Sequence, residues 1–137
     1  MGQAYLIECS KCQYRSKEIM MGVGFLFGTI ENILDTLKGY DYEQVKHLLN
    51  LKKVHTHYSR GHSLYQCQEC YSLDNKIHLT IYNSDGDLIF QTESYCKDCQ
   101  KLREYMPEDN DQETIPDLHC PKCHHDTLHF SEGMLWD

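Results

Sequence analysis

No apolar run in the sequence approaches the roughly 18 residues that a membrane-spanning helix requires. The longest candidate, Met20 to Phe27, is broken by Gly22 and Gly24. Met1 to Ile7 has neither a basic segment nor an apolar one, so no secretory leader is expected and a cytoplasmic location follows. Positive charge is scarce: 13 Lys and Arg stand against 21 Asp and Glu, for a formal charge of −8. A general nucleic-acid binder, which needs clustered Lys and Arg against phosphate, is therefore disfavoured. Apolar residues make up only 40% and the mean hydropathy is −0.62, a thin interior for 137 residues. Catalytic motifs are missing as well. There is no H-E-x-x-H, G-x-S-x-G, G-x-G-x-x-G or G-x4-G-K-[ST], and no spacing places two carboxylates across a cleft. The chain does not read as an enzyme.

What the sequence does hold is eight cysteines with none left over, arranged as four C-x2-C pairs: Cys9/Cys12, Cys67/Cys70, Cys96/Cys99 and Cys120/Cys123. A C-x2-C bends the backbone into a knuckle that aims two thiolates at one point. Two knuckles complete a tetrahedral shell of four sulfurs. Twenty residues separate the last two pairs, which is the sequence form of a structural zinc site. In a reducing compartment such pairs favour metal over disulfide. All eight cysteines are thus expected to ligate two structural Zn2+ ions, a closed shell with no open position for catalysis. Iron held by four thiolates is the alternative, since sulfur-only tetrahedral ligation selects zinc or iron. Eight thiolates add eight negative charges and two Zn2+ return four, which takes the formal charge from −8 to −12.

Three groupings of the knuckles are open: a sequential one, a nested one and, least favoured, a crossed one. The sequential scheme, which is favoured, joins Cys9, Cys12, Cys67 and Cys70, then Cys96, Cys99, Cys120 and Cys123. The nested scheme joins Cys67/Cys70 to Cys96/Cys99 and ties Cys9/Cys12 to Cys120/Cys123. Nine histidines are present. His119, His124 and His125 flank the last knuckle, and His55-x-His57 has metal-capable spacing. With both shells already complete, these residues are expected to pack or to hydrogen-bond to sulfur.

Between the knuckles the pattern alternates between strand and helix. Tyr5-Leu6-Ile7 predicts a short strand into the first pair. Thr29 is placed to cap a helix whose Ile30, Ile33, Leu34 and Leu37 form one stripe, with Lys38-Gly39 closing it. Asp41 with Gln44 reads as a capping box for a second helix bearing Val45, Leu48 and Leu49. The two make an αα-hairpin. Val54, Thr56 and Tyr58 alternate as a strand, Arg60-Gly61 reads as a turn, and Leu64-Tyr65 return into Cys67. Ile77, Leu79 and Ile81, then Asp85-Gly86, then Leu88, Phe90 and Thr92 predict a β-hairpin. Gln100 to Tyr105 is the one stretch after a knuckle that does not read as strand. Glu104 to Asp117 is acidic with no Lys or Arg and predicts a solvated loop. Thr127 to Phe130, a Ser131-Glu132-Gly133 turn and Met134-Leu135-Trp136 predict a closing hairpin.

Cys120-Pro121-Lys122-Cys123, and less closely Cys9-Ser10-Lys11-Cys12, resemble the knuckles of zinc-ribbon (rubredoxin-like) proteins. With Gly22-Val23-Gly24-Phe25-Leu26 after the first knuckle and Leu135-Trp136-Asp137 at the end, the chain is similar to small uncharacterised bacterial zinc-ribbon proteins. That resemblance implies a ribbon fold and zinc, and no particular activity. Ribbon knuckles often carry glycine after the second cysteine; here Gln13, Tyr71, Gln100 and His124 stand there.

The reading is of a small, metal-stabilised α+β protein: two zinc-ribbon-like four-cysteine sites, antiparallel β-hairpins and the inserted αα-hairpin. It forms one compact unit over 1–137, divisible into 1–92 with the helical insertion 29–52 and a C-terminal ribbon 93–137. The expected function is a non-enzymatic interaction or scaffold role toward another protein. Ten tyrosines among fifteen aromatics suit such an interface. Two other readings are carried: a nucleic-acid-associated ribbon stacking bases on Tyr58, Tyr65 or Tyr82, and a rubredoxin-like electron carrier.

Overall fold

The computed structural model describes residues 2–22, 29–51, 58–106 and 118–136, with the backbone alone for 132–136. His55, His57, Val54, Phe25 and most of the acidic stretch lie outside the described residues.

Among the described residues, nine strands and two helices follow one another as β1 (Gly2–Cys9), β2 (Ile19–Gly22), α1 (Ile30–Leu34), α2 (Gly39–Asn50), β3 (Tyr58–Gln66), β4 (Leu73–Tyr82), β5 (Leu88–Gln91), β6 (Tyr95–Cys96), β7 (Lys101–Leu102), β8 (Glu104–Met106) and β9 (Leu128–Trp136). The architecture is a small α+β one, almost wholly antiparallel. The main sheet runs β5-β4-β3-β2-β1-β9, with β8 also paired to β3, and β6-β7 form a separate two-stranded ribbon. No described helix is long and apolar enough to cross a membrane.

Two apolar clusters fill the interior. In the first, Ile30 and Ile33 of α1, Leu37 from the segment between the helices and Val45 of α2 meet Ile77, Leu79 and Ile81 of β4 and Phe90 of β5. The period-2 alternation of β4 turns those three side chains to one face and leaves His78 and Thr80 on the other. The second cluster gathers Ile7, Ile19, Leu64, Leu118 and Leu128 around Cys9 and Cys120, with Cys12 and Cys123 packed at its margin. Sulfur is therefore part of this second interior.

The helical pair keeps its apolar residues inside but not its expected bounds: α1 ends at Leu34 with Asp35 as its C-cap, so Leu37 packs from beyond the helix. Thr29 Oγ1 accepts from the Asn32 N–H at 3.3 Å and caps α1. α2 begins at Gly39, not after Asp41, and Lys38 at its N-cap position makes no side-chain capping bond. Gly39 at φ +58 turns the chain straight into the helix, which leaves Asp41 inside the first turn. There its carboxylate pairs with Lys76 Nζ at 3.3 Å, while the same ammonium donates to the Glu93 carbonyl at 2.6 Å. Those bonds tie the helices to β4.

Three strand expectations change. Arg60-Gly61 is not a turn: β3 runs unbroken through it, paired with β4 from Tyr58↔Ile81 to Gln66↔Leu73. At φ 159 Gly61 is simply extended. The closing hairpin is also absent, because Leu128–Trp136 forms one long strand along β1. Ser131-Glu132-Gly133 sits where the register shifts between Ala4 and Leu6, a bulge rather than a reversal. Finally, Lys101–Leu102 and Glu104–Met106 are strands, so the acidic stretch begins with sheet. The Asp85-Gly86 turn between β4 and β5 stands, with Asn83 Oδ1 accepting from the Asp85 and Asp87 N–H groups at 3.0 and 2.8 Å.

Candidate metal centres

Three of the C-x2-C pairs stand at the ends of β1, β3 and β6, the fourth precedes β9, and the same backbone turn recurs in each. The N–H of the first cysteine donates to the carbonyl five residues on: Cys9 to Tyr14 at 3.1 Å, Cys67 to Ser72 at 3.0 Å, Cys120 to His125 at 2.8 Å. Cys96 pairs with Lys101 across β6-β7 in the equivalent way. Amides inside the turn point at sulfur, as Lys11 N does toward Cys9 Sγ and Lys122 N toward Cys120 Sγ, both at 3.4 Å. Tyr71, Gln100 and His124, each directly after a second cysteine, take left-handed φ of 59, 55 and 64. The knuckles thus impose a glycine-like conformation on residues that are not glycine, at roughly 1 kcal/mol each.

Sheet pairing decides which knuckles meet. β1 ends at Cys9 and lies antiparallel to β9, with Cys9 opposite Leu128, so the first and last knuckles come together. β3 ends at Gln66, immediately before Cys67, and β8 pairs with it through Gln66↔Glu104. That carries the β6-β7 knuckle onto the second. The quartets are Cys9, Cys12, Cys120, Cys123 and Cys67, Cys70, Cys96, Cys99. The favoured sequential grouping is thereby overturned in favour of the nested one. Its missing ingredient was the β1-β9 pairing, a contact between the two ends of the sequence.

Within each quartet the sulfurs all lie within 4.8 Å of one another. Contacts between knuckles are shorter: Cys9 to Cys123 is 3.6 Å, Cys12 to Cys120 is 3.5 Å and Cys70 to Cys96 is 3.7 Å. Four ligands about 2.3 Å from a shared ion stand about 3.8 Å apart at tetrahedral angles. All eight are free thiols, far beyond the roughly 2.05 Å of a disulfide bond. The first cysteine of every pair is buried and the second half-buried. Among the described residues no helix follows any knuckle, which removes the helix N-terminus that a reactive redox thiol uses.

The surroundings treat the four sulfurs of each quartet unequally. Burial pushes the Cys9 thiol up, but the Thr127 hydroxyl at 3.0 Å and the Lys11 and Cys12 amides outweigh it and bring it down to about 6. Burial, together with the neighbouring Cys120 and Cys9 sulfurs, drives Cys12 up to about 12. In the other quartet the Ser72 hydroxyl and the Cys99 amide bring Cys96 down to about 6, and Ser72 also lowers Cys70. Cys99 rises to about 12, chiefly through its contact with Cys70. Four packed sulfurs cannot all carry negative charge unaided. A cation at the centre removes that conflict.

A second layer of groups orients the sulfurs. Ser72 Oγ lies 3.3 Å from Cys70 Sγ and 3.5 Å from Cys96 Sγ, while Arg103 Nε donates to it at 3.2 Å. The hydroxyl oxygen thus accepts from both the guanidinium and the Cys70 thiol. Arg103 also donates to Ser94 Oγ and the Tyr95 carbonyl, both at 3.0 Å, and Ser94 in turn donates to Asp74 at 2.5 Å.

The histidines next to the last knuckle belong to neither quartet. His119 stacks on Tyr71 with ring centroids 4.6 Å apart, His124 meets the same ring edge-on at 5.2 Å, and His125 contributes only its carbonyl to the turn. Sequence reasoning missed three partners: Ser72, Thr127 and Gln66. The serine and threonine each stand close to a knuckle, a weak signal that any polar residue beside a C-x2-C would send.

No family model, curated protein or solved structure matches this chain.

Proposed function

We propose that this is a zinc protein of the zinc-ribbon kind, without catalytic chemistry of its own, whose two ions hold a scaffold that another protein docks on in the cytoplasm. The reading rests on the donor set. Two groups of four sulfurs, at tetrahedral edge lengths and with no His, Asp or Glu of the described residues grouped with them, suit a closed structural ion. Cys9, Cys12, Cys120 and Cys123 would hold one ion, and Cys67, Cys70, Cys96 and Cys99 the other. Zinc would supply cross-linking and charge neutralisation, and no open coordination position. Exposed apolar side chains, among them Tyr40, Tyr95 and Leu102, are the surface a protein partner would use.

Elemental analysis of the protein as isolated tests this. Two zinc ions per chain in a colourless sample support it. Visible thiolate-to-iron absorption would replace it with the electron-transfer reading, which uses the same ligands. The nucleic-acid reading loses one of its three stacking residues, since Tyr65 is only 2% exposed. Tyr58 and Tyr82 remain, lining a shallow cleft of about 600 Å3 with Asn83 and Asp85. The aspartate and the net charge oppose phosphate there. Absence of binding to single-stranded RNA or DNA at low salt removes this reading.

A further inference from the structure

The two quartets are joined by a short bridge of side chains that serves neither one alone. Gln66 precedes Cys67 and is completely buried. Its amide nitrogen donates to the His119 carbonyl at 2.7 Å and to the Tyr71 carbonyl at 3.1 Å, while its oxygen accepts from the His119 N–H at 3.0 Å. The residue before one cysteine pair thus clamps the residue before another, which belongs to the other quartet. Tyr71 completes the bridge. It closes the Cys67 knuckle in a left-handed conformation, and its ring lies on His119 at an interplanar angle of 17°. The same ring meets His124, the left-handed residue that closes the Cys120 knuckle, at 63°.

We propose that the Gln66–Tyr71–His119–His124 bridge couples the two metal centres, so that filling one quartet raises the affinity of the other. The inference rests on the reading that both quartets bind metal. An ion at Cys67, Cys70, Cys96 and Cys99 fixes the turn that carries Tyr71 and Gln66. Those two residues then hold the approach to Cys120 and the turn after Cys123 in the conformation the second ion needs. Ordering that the first ion has already imposed is not required again of the second, which is positive coupling. Linkage makes the effect reciprocal, and coupling energies of this class correspond to factors of about 5–150 in affinity.

The test loads the metal-free full chain with one equivalent of Zn2+ and counts empty, singly and doubly loaded chains by native mass spectrometry. Two equal, independent sites leave about half the chains singly loaded. Coupling of this size pushes that fraction well below half. Gln66→Ala and Tyr71→Gly, the latter keeping the left-handed backbone while deleting the ring, should each raise the singly loaded fraction with both sites still fillable at excess zinc. A fraction unchanged by both substitutions overturns the coupling while leaving the metal reading intact. Chains that take up no zinc at all overturn the reading beneath it.

Discussion

At the scale of single residues, the hydroxyls beside sulfur make different contributions. Ser72 faces two sulfurs and is itself held by Arg103, whereas Thr127 faces only Cys9. Groups that orient metal ligands typically contribute about 10–100-fold in affinity. Ser72→Ala is therefore expected to weaken zinc at the Cys67 quartet within that range, and Thr127→Val to weaken the Cys9 quartet less. Competition with a chromophoric chelator measures both, and Ser72→Thr should restore most of the loss. Equal effects would overturn the ranking, and no effect would make the hydroxyls bystanders. Backbone strain yields a second expectation. Gln100 is exposed and holds φ 55. Gln100→Gly should stabilise the zinc-loaded protein by up to about 1 kcal/mol, the usual left-handed penalty for a residue with a Cβ. Denaturant unfolding reads the difference. Tyr71→Gly should show no such gain, because it also gives up the stacking on His119.

Among the elements, β3, β4 and β8 enclose a polar group within the sheet. Tyr65 Oη sits 2.6 Å from His78 Nδ1 and 3.3 Å from Thr92 Oγ1, and the Tyr105 ring stacks on the imidazole at 3.8 Å. Burial, followed by the nearby Lys76 charge, holds the His78 pKa below its ordinary 6.5. The unfolded chain thus binds this proton at a higher pH than the folded one does. Stability rises with pH wherever the unfolded state binds more protons, so the contribution is complete above about 6.5 and is lost as pH falls below it. Replacing His78 with Gln should flatten that acid limb, measured as the wild-type-minus-variant difference in zinc-loaded protein; coincident curves would exclude His78 as the group responsible. This polar pocket was not legible in the sequence, where His78 falls between the apolar positions of an alternating strand and Tyr65 reads as a ring available for stacking. Alternation reports which residues share a face, not whether that face is covered, and β8 covers it here. The Asp85-Gly86 turn and the α1 stripe were legible because their signals are local. The knuckle grouping, the unbroken β3 and the single long β9 were not. Each depends on a partner strand distant in sequence: β9 for β1, and β4 for β3 across Arg60-Gly61.

Across the whole molecule, the two interiors differ in their dependence on sulfur. The first cluster is aliphatic and aromatic throughout, from Ile30 and Val45 to Leu79 and Phe90. The second counts Cys9 and Cys120 among its buried members and Cys12 and Cys123 at its margin. A structural zinc contributes on the order of 10–16 kcal/mol in small peptides, and whole domains are stable by only about 5–15 kcal/mol. If both quartets hold zinc as proposed, removing the ions withdraws more than a domain of this size has to spare, and global folding should be lost. The loss should not be uniform. Without metal, packed thiols at the margin of the second cluster repel or must be protonated, and β1 and β9, which meet beside them, lose their anchor. The α1-α2 pair on β4 and β5 keeps an apolar contact that owes nothing to thiolate. Hydrogen exchange after chelation should accordingly show β1 and β9 unprotected first, with residual protection confined to Val45, Leu79 and their neighbours. Protection that persists in β1 and β9 would show that zinc is not what holds the chain ends together. Loss from the helical cluster first would place the metal's contribution in the wrong interior.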